Sequence, residues 1–347
     1  MTGHPASPPV PAPSAAGAGG GRRPKAGRGV AGRPLVLALG GVAVALLLPA
    51  VLTGYWVRVF ATIFMFAALA QSLNIMAGFT GYADFGNTVF FGLGAYTTAL
   101  LTSKGGIPVL PAIIGGGLVG VTLASLMGLP LLRLRGHYFA IATIGVLEAA
   151  REVIANVPFF GGGLGISLPI FAGRPEVFYR FIYYILFAVF LAYTGIAWWL
   201  SRSKFGYALR AIKADEEAAA VMGIATTRYK IRAWRLSALC TGLVGGIYAY
   251  WLNFIEPPMV FDIMISVKVW LIMLLGGAGT VLGPIAGAAI LELLQAFIWG
   301  RLLRGHTLIL GAVIALVVLF IPAGFMDLVR KRFSLAAVLA DLRANKI

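Results

Sequence analysis

The sequence predicts an all-α bundle of about ten membrane-spanning helices, and its composition and the arrangement of its apolar residues support this prediction. Of the 347 residues, 60% are hydrophobic and only 12% are charged, about half the charged fraction of an ordinary soluble domain. The apolar residues form runs close to the ~20 residues that a helix needs to cross a bilayer. Lipid cannot satisfy backbone polar groups, and the runs lack the alternation of a membrane β-barrel, so we predict helices.

The predicted spans cover most of the chain. In order, they are residues 35–53, 57–77, 87–103, 107–131, 138–156, 180–200, 232–254, 264–282, 284–299 and 306–321. Residues 1–33 are rich in Pro, Ala and Gly and end in a basic stretch, which predicts a disordered cytoplasmic tail. A cleaved signal peptide is the alternative, although the apolar run that follows is long enough to span. The transmembrane domain is predicted at 34–325, followed by a cytoplasmic C-terminal tail at 326–347.

The chain is strongly basic, with 28 Lys+Arg against 12 Asp+Glu and a net charge of +16. In a soluble protein this excess of positive charge would indicate nucleic-acid binding. In a membrane protein the positive-inside rule explains it, so we expect no nucleic-acid partner. With the N-terminus inside, 20 basic residues fall in predicted internal positions and 6 in external ones. We therefore predict that both termini and residues 201–231 are cytoplasmic, and that the long loop 157–179 is external.

Residues that could carry chemistry are few. Cys240 is the only cysteine, so no intramolecular disulfide can form, and the three histidines are too scattered for a metal site. Gly277 and Gly279 resemble the start of a dinucleotide fingerprint, but the third glycine is displaced to Gly283 and no βαβ unit surrounds it, so helix packing or a helix break is the better interpretation. The sequence has neither a P-loop motif nor a catalytic constellation, so we expect no bound cofactor and no enzymatic activity.

Residues 201–231 form the most charged internal segment and contain a predicted short helix. Asp215, Glu216 and Glu217 suit a helix N-terminus, and Gly223 suits a helix end. The residues between them are mostly Ala, Val and Met, so the helix is too apolar for a free loop and too short to span. We predict that this amphipathic helix lies on the cytoplasmic face.

The pattern Glu217-Ala218-Ala219-x-x-x-Gly223 resembles the EAA signature of ABC-importer permeases. This resemblance implies that the helix docks into a groove on a separate ATPase subunit, that Ala218 and Ala219 form the small face allowing close approach, and that Arg210 belongs to the same coupling region. A solvated helical loop is the alternative. The letters recur at Glu148-Ala149-Ala150, but Ile154 replaces the glycine and the site lies inside a predicted span, which argues against a second match.

Further blocks extend the resemblance to roughly residues 60–325. They are Gly78–Tyr96, Arg133–Ile141, Gly206–Lys230, Gly276–Pro284 and Phe320–Gly324. Together they resemble the M-type permease of branched-chain amino-acid ABC importers, the LivM family. The resemblance implies a polytopic permease of the bacterial cytoplasmic (inner) membrane. The implied partners are a second homologous permease subunit, two ATP-binding subunits that bind the ATP, and a periplasmic or lipid-anchored substrate-binding protein.

Five residues are candidates for the translocation path. They are Asp84, Asn87, Tyr96, Glu148 and Arg151. Asp84 and Asn87 follow a glycine-broken stretch, and broken helices at membrane depth often line polar cavities. They also depart from the Ser and His that are common in the family. The alternative places Asp84 at the cytoplasmic interface. Glu148, Arg151 and Glu152 share a helical face, so we expect a buried ion-pair cluster, either structural or in the path.

Other transport functions remain open at this point. Related ABC permeases carry urea, short-chain amides or other small polar solutes. An ion-coupled secondary transporter would belong to a different class, and it would need coupling-ion carboxylates near the bilayer centre and no coupling helix.

Overall fold

The computed structural model describes residues 32–299, with side chains described for 40–297. The predicted span 306–321, the C-terminal tail and nearly all of the N-terminal tail lie outside these residues. The helices are α1 Gly32–Val51, α2 Gly54–Leu73, α3 Asn87–Ser103, α4 Val109–Leu131, α5 His137–Asn156, α6 Pro175–Arg202, α7 Lys204–Ala214, α8 Glu216–Val221, α9 Thr226–Leu252, α10 Pro257–Val260, α11 Ile263–Gly276 and α12 Gly283–Trp299. The all-α class is therefore confirmed. Most of α1 belongs to a compact unit that ends at Leu47, and the other described helices belong to the unit that begins at Leu48.

Four of the described helical segments are long and apolar enough to cross a membrane. They are Gly54–Gly78, Val109–Leu131, Pro175–Arg202 and Pro257–Gly276. The other predicted spans within the described range are also helical, but they fall short of these criteria. In α1 the apolar stretch covers only Gly40–Val51. Helix α5 carries three charged residues near its end, α9 is diluted by Gly, Ser, Thr and Tyr, and α3 and α12 have 17 residues each. The number of about ten stays a prediction.

Two helix irregularities, at residues 74–78 and 277–279, are joined to each other. Helix α2 continues into a π-helical turn at Asn74–Gly78, and α11 ends at Gly276 rather than at residue 282. Gly277 and Gly279 have φ values of 113° and 81°, which L side chains rarely adopt, so the apolar run cannot continue as a helix. The Asn74 side chain donates to the Thr280 carbonyl at 2.8 Å and accepts from the Gly279 amide at 2.7 Å, so it fastens the two breaks together.

Helices α3, α4 and α9 form the tightest part of the bundle. A Cβ at Gly94 would lie 2.1 Å from the Gly242 carbonyl oxygen, and one at Gly245 would lie 2.0 Å from that of Phe91. Such contacts are too short for any side chain, so glycine is required for the backbones to approach this closely. Small residues have the same role in membrane helix packing generally.

The connecting segments meet in two groups. In the first, which we call the β end, Lys104 donates to the Phe159 carbonyl, Ser103 donates to that of Ser167, and strand β1 Ile166–Ser167 pairs antiparallel with β2 Phe254–Ile255. In the second, which we call the α8 end, segments 78–86, 132–136 and 201–231 are in contact, for example through Lys213 and the Gly78 carbonyl at 2.8 Å. The segments predicted on one side of the membrane are therefore the ones that touch one another.

Candidate coupling and translocation sites

The predicted short helix is present as α8, with defined signals at both ends. The Asp215 carboxylate accepts hydrogen bonds from the amides of Glu217 at 2.8 Å and Ala218 at 3.0 Å, so it caps the N-terminus. Gly223 has a φ of 86°, and the Ile224 amide donates back to the Ala219 carbonyl at 3.1 Å, which closes the C-terminus. The local sequence is therefore sufficient to start and stop this helix.

The two alanines of the EAA pattern do not share a face. Ala219 is buried against its own chain, whereas Ala218 is exposed. Successive residues of a helix are about 100° apart around its axis, so Ala218 points away from the bundle when Ala219 packs against it. Val221 and Met222 are 87% and 83% exposed. We call Ala218, Val221, Met222 and Gly223 the α8 surface. It replaces the predicted Ala218–Ala219 face.

A buried ion pair holds α8 against the bundle. The Lys230 side chain, 2% exposed, donates to the Glu216 carboxylate at 2.7 Å, to the Tyr82 hydroxyl at 2.7 Å and to the Leu132 carbonyl at 3.0 Å. Tyr82 donates in turn to the second Glu216 oxygen at 2.5 Å. All three protons of the ammonium therefore have an acceptor, which a buried charge requires. This network, which we call the Lys230 network, joins α8, α9, segment 79–86 and the end of α4.

The Lys230 network shifts the acid–base properties of its members. Burial alone raises the pKa of the Glu216 carboxyl, but the hydrogen bonds from Lys230 and Tyr82 and the nearby positive charges of Lys230 and Arg135 outweigh it, so the pKa lies below its ordinary value. Burial and the neighbouring Glu216 raise the pKa of Tyr82. Glu216 is therefore held as a carboxylate and Tyr82 as a neutral donor.

The other predicted coupling residues lie at the surface. Glu217 has a side chain 78% exposed and pairs with Arg135 at 2.7 Å, and a surface pair of this kind stabilises little. Arg210 is on α7, where it donates to the Ser201 carbonyl at 2.5 Å and lies over the Phe79 and Tyr207 rings. Sequence reasoning selected Glu217, whereas the carboxylate that fastens α8 is its neighbour Glu216.

Two of the predicted path residues meet in a polar cluster inside the bundle. Asp84 accepts from the Trp234 indole at 2.8 Å, and Asn87 accepts from the Thr241 hydroxyl at 2.9 Å. Thr241 bonds to Ser72, which also bonds to Ser237. The second Asp84 carboxylate oxygen has no hydrogen-bond partner among the described residues. The adjoining cavity measures about 10 Å³, room for one water molecule at most, so the cluster is closed to solutes in this conformation.

The remaining path candidates lie elsewhere. Tyr96 lies nine residues beyond Asn87 in α3, where it is buried and packs against the Phe160 and Phe261 rings. Arg151 on α5 pairs with Glu148 at 2.7 Å and lies 3.6 Å from Glu152. The expectation of burial was wrong for this cluster, because α5 turns these side chains away from the described part of the bundle and leaves them partly exposed. The five candidates therefore form three separate places rather than one site.

A second ion pair lies within predicted spans. Lys268 of α11 lies 2.7 Å from the Glu292 carboxylate of α12, donates to Gln295 at 3.0 Å, and approaches the Phe66 ring to 4.0 Å. Charges of opposite sign in two consecutive apolar helices are a signal that the sequence offers. Pairing in place satisfies two groups that are costly to insert alone.

A family model described as "Branched-chain amino acid transport system / permease component" matches residues 35–321. The chain belongs to this permease family. As a permease component it is a subunit for transport and not an enzyme, and with its apolar helices it is a multi-pass membrane protein. Among the described residues, this permease has no group of three His, Cys, Asp or Glu that could hold a metal ion.

Relatives of this permease include both LivM and LivH proteins. The chain is 29% identical over 302 residues to the high-affinity branched-chain amino acid transport system permease protein LivM of Salmonella typhimurium, covering 78% of this chain and 70% of the relative. It is 28% identical to LivM of Escherichia coli, with the same coverage, and 24% identical over 281 residues to LivH of that organism, covering 75% and 91%. No solved structure matches the chain.

Proposed function

We propose that this permease imports branched-chain amino acids across the bacterial cytoplasmic membrane, as one half of a permease pair driven by two separate ATP-binding subunits. The observation that carries the proposal is α8, a short helix that exposes apolar residues at one end of the bundle while the Lys230 network fixes its inner side. A rigidly held helix can transmit a push from a docked subunit, whereas a mobile loop would absorb it. The names of the LivM and LivH relatives support the solute and the pairing.

The α8 end faces the cytoplasm in this proposal. Arg135, Lys213 and Lys230 lie there, together with the other basic residues of segments 132–136 and 201–231, and the positive-inside rule places such segments inside. The β end then faces the periplasm, where a substrate-binding protein delivers the solute. In this proposal ATP binds to the partner subunits, since the sequence of this chain has no P-loop motif.

Transport in this scheme is alternating access. The polar cluster of Ser72, Asp84, Asn87, Ser237 and Thr241 supplies hydrogen-bonding groups inside the bundle, and it is closed in this conformation. Movement of α8 reaches this cluster by a short route, because Tyr82 of the Lys230 network and Asp84 are two residues apart in the same connecting segment. ATP-driven displacement of α8 would thereby open the cluster to one side.

The test is a charge placed on the α8 surface. The complete importer carrying Met222→Asp is compared with Leu164→Asp, which alters a residue of similar exposure, 89%, at the β end. Because an aspartate would have to be desolvated on docking, we expect Met222→Asp to lower leucine uptake at least tenfold and to reduce co-purification of the ATP-binding subunits, at unchanged membrane abundance. Leu164→Asp is expected to retain ATPase co-purification.

Two outcomes would contradict the proposal. If Met222→Asp still co-purifies with the ATP-binding subunits and transports normally, α8 is not the coupling helix. If Met222→Asp loses the ATP-binding subunits as expected, but the wild-type complex shows ATP-dependent uptake of another solute and none of leucine, the solute assignment falls while the coupling assignment stands. Gly223→Trp, which adds bulk to the same surface outside the bilayer, is expected to behave as Met222→Asp does.

A further inference from the structure

A groove of about 580 Å³ runs along α9 on the outside of the bundle. Helix α9 forms its floor, with Leu236 and Leu239 pointing into it, and Val121 of α4 lines it as well. At the end nearest α8 it is lined by three stacked rings, Trp199 on Phe205 at 6.4 Å and Phe205 on Tyr229 at 5.4 Å. We call this the α9 groove. Its interior is apolar and its inner end is aromatic.

Two cations line the α9 groove without an anion to balance them. Arg232 and Arg235 are exposed and three residues apart, so they lie on one face of α9. Among the described residues, neither guanidinium has a carboxylate within 4 Å or a hydrogen-bonded partner. By contrast, Lys230 and Arg135 at the same end are ion-paired and Arg210 is hydrogen-bonded. The groove therefore combines a strip of apolar surface with two positively charged side chains.

The position of the arginines along α9 fits the edge of a bilayer. Helix α9 begins at the α8 end, and Arg232 and Arg235 follow Lys230 by two and five residues, about 3 and 7.5 Å of helix. Beyond them the groove continues past Leu236 and Leu239 into the apolar part of the bundle. Aromatic rings next to cations at this depth are typical of the headgroup region.

We propose that the α9 groove binds one anionic phospholipid of the cytoplasmic leaflet. Arg232 and Arg235 hold its phosphate, since planar guanidinium groups bind phosphate through paired hydrogen bonds. An acyl chain lies along Leu236 and Leu239. The choice of leaflet, but not of ligand, rests on the orientation given under the proposed function. A transmembrane helix of another subunit fits less well, because large rings and leucines line the groove rather than the small residues that let helices pack closely.

The experiment measures which lipids stay bound to the complete importer. The complex is assembled in nanodiscs of phosphatidylcholine with a minor fraction of phosphatidylglycerol, released into detergent, and analysed by native mass spectrometry. Arg232→Gln with Arg235→Gln is compared with Lys204→Gln with Arg228→Gln, which removes two exposed charges near the same end but outside the groove. We expect the groove variant to retain phosphatidylglycerol roughly fivefold less for each arginine removed, and the control to match the wild type.

A second arm keeps both arginines and fills the apolar part of the groove. Leu239→Trp is expected to reduce phosphatidylglycerol retention as well, which general attraction between charges would not explain. A photo-crosslinking residue in place of Leu239, in the otherwise unchanged complex, is expected to form a lipid adduct. This readout does not depend on the arginine variants folding normally.

The proposal is overturned if phosphatidylcholine is retained as well as phosphatidylglycerol, if the control variant loses as much lipid as the groove variant, or if the crosslinker captures another subunit instead of lipid. None of these measurements requires transport or coupling. If the proposed transport function is wrong, the lipid measurement can therefore still be interpreted. If the topology is inverted, only the leaflet that supplies the lipid changes.

Discussion

At the scale of single residues, adjacent carboxylates in α8 have different environments. Glu216 lies inward and accepts hydrogen bonds from Lys230 and Tyr82, whereas Glu217 lies outward and pairs with Arg135 in solvent. The sequence pattern pointed to Glu217 because it belongs to the Glu-Ala-Ala string. The inward position of Glu216 depends on groups 14 and 134 residues away along the chain, which no local pattern encodes.

Glu216→Gln should destabilise the permease strongly, because it leaves the Lys230 ammonium buried beside a neutral amide. Breaking a buried ion pair costs about 3–5 kcal/mol, and the partial exposure of Glu216 favours the lower end of that range. Thermal unfolding of the purified complex measures the effect. Glu217→Gln is the matched control and should change the unfolding temperature little. Equal effects from the two variants would show that the Lys230 network does not stabilise the permease.

The same carboxylate predicts how stability depends on pH. Because the pKa of Glu216 is lower in the folded chain than its ordinary value of 4.5, its contribution is complete above about pH 4.5. The contribution is lost as the pH falls through the folded pKa and the carboxyl is protonated. The difference in unfolding temperature between wild type and Glu216→Gln should therefore be constant near neutral pH and shrink below pH 4.5. A difference independent of pH down to 3 would contradict this.

At the scale of elements, the sequence predicts the features that local signals determine and misses those that tertiary contacts determine. Helix α3 spans the predicted residues, and the limits of α8 follow from Asp215 and Gly223. The predicted helix 264–282 ends at Gly276, and the positive φ of Gly277 makes this the helix break that the sequence left open beside helix packing. The outward turn of Glu148 and Arg151 could not be predicted either, since a helical face says which residues lie together but not which way they point.

The pair between α11 and α12 yields a prediction of its own. Glu292→Gln leaves Lys268 without its opposite charge in an apolar setting, so we expect a loss of about 3 kcal/mol and lower membrane abundance. The double variant Lys268→Met with Glu292→Leu removes both charges and fills similar space, so it should recover most of that stability. Membrane abundance and thermal unfolding test both variants, and a double variant worse than the single one would show that the pair has a role beyond pairing.

At the scale of the whole molecule, the grouping of connecting segments at two ends allows a sharp topology test. The native Cys240 is buried, so it gives little background to a thiol reagent. Leu164→Cys and Val221→Cys introduce thiols at sites 89% and 87% exposed, one at each end. A membrane-impermeant maleimide should label residue 164 in intact cells and residue 221 only after permeabilisation. The reverse pattern would invert the proposed orientation.

The antiparallel pair of strands at the β end has a consequence for how the chain is made. Ile166 pairs with Ile255, about 90 residues further along. At ~5–20 residues per second, a ribosome needs about 5–18 s to synthesise that interval. In the proposed orientation, β1 is translocated before β2 is synthesised, while α6 and α9 are still to be inserted. The β end then closes only as a late step of biogenesis, and until that step the edge of β1 has no paired strand.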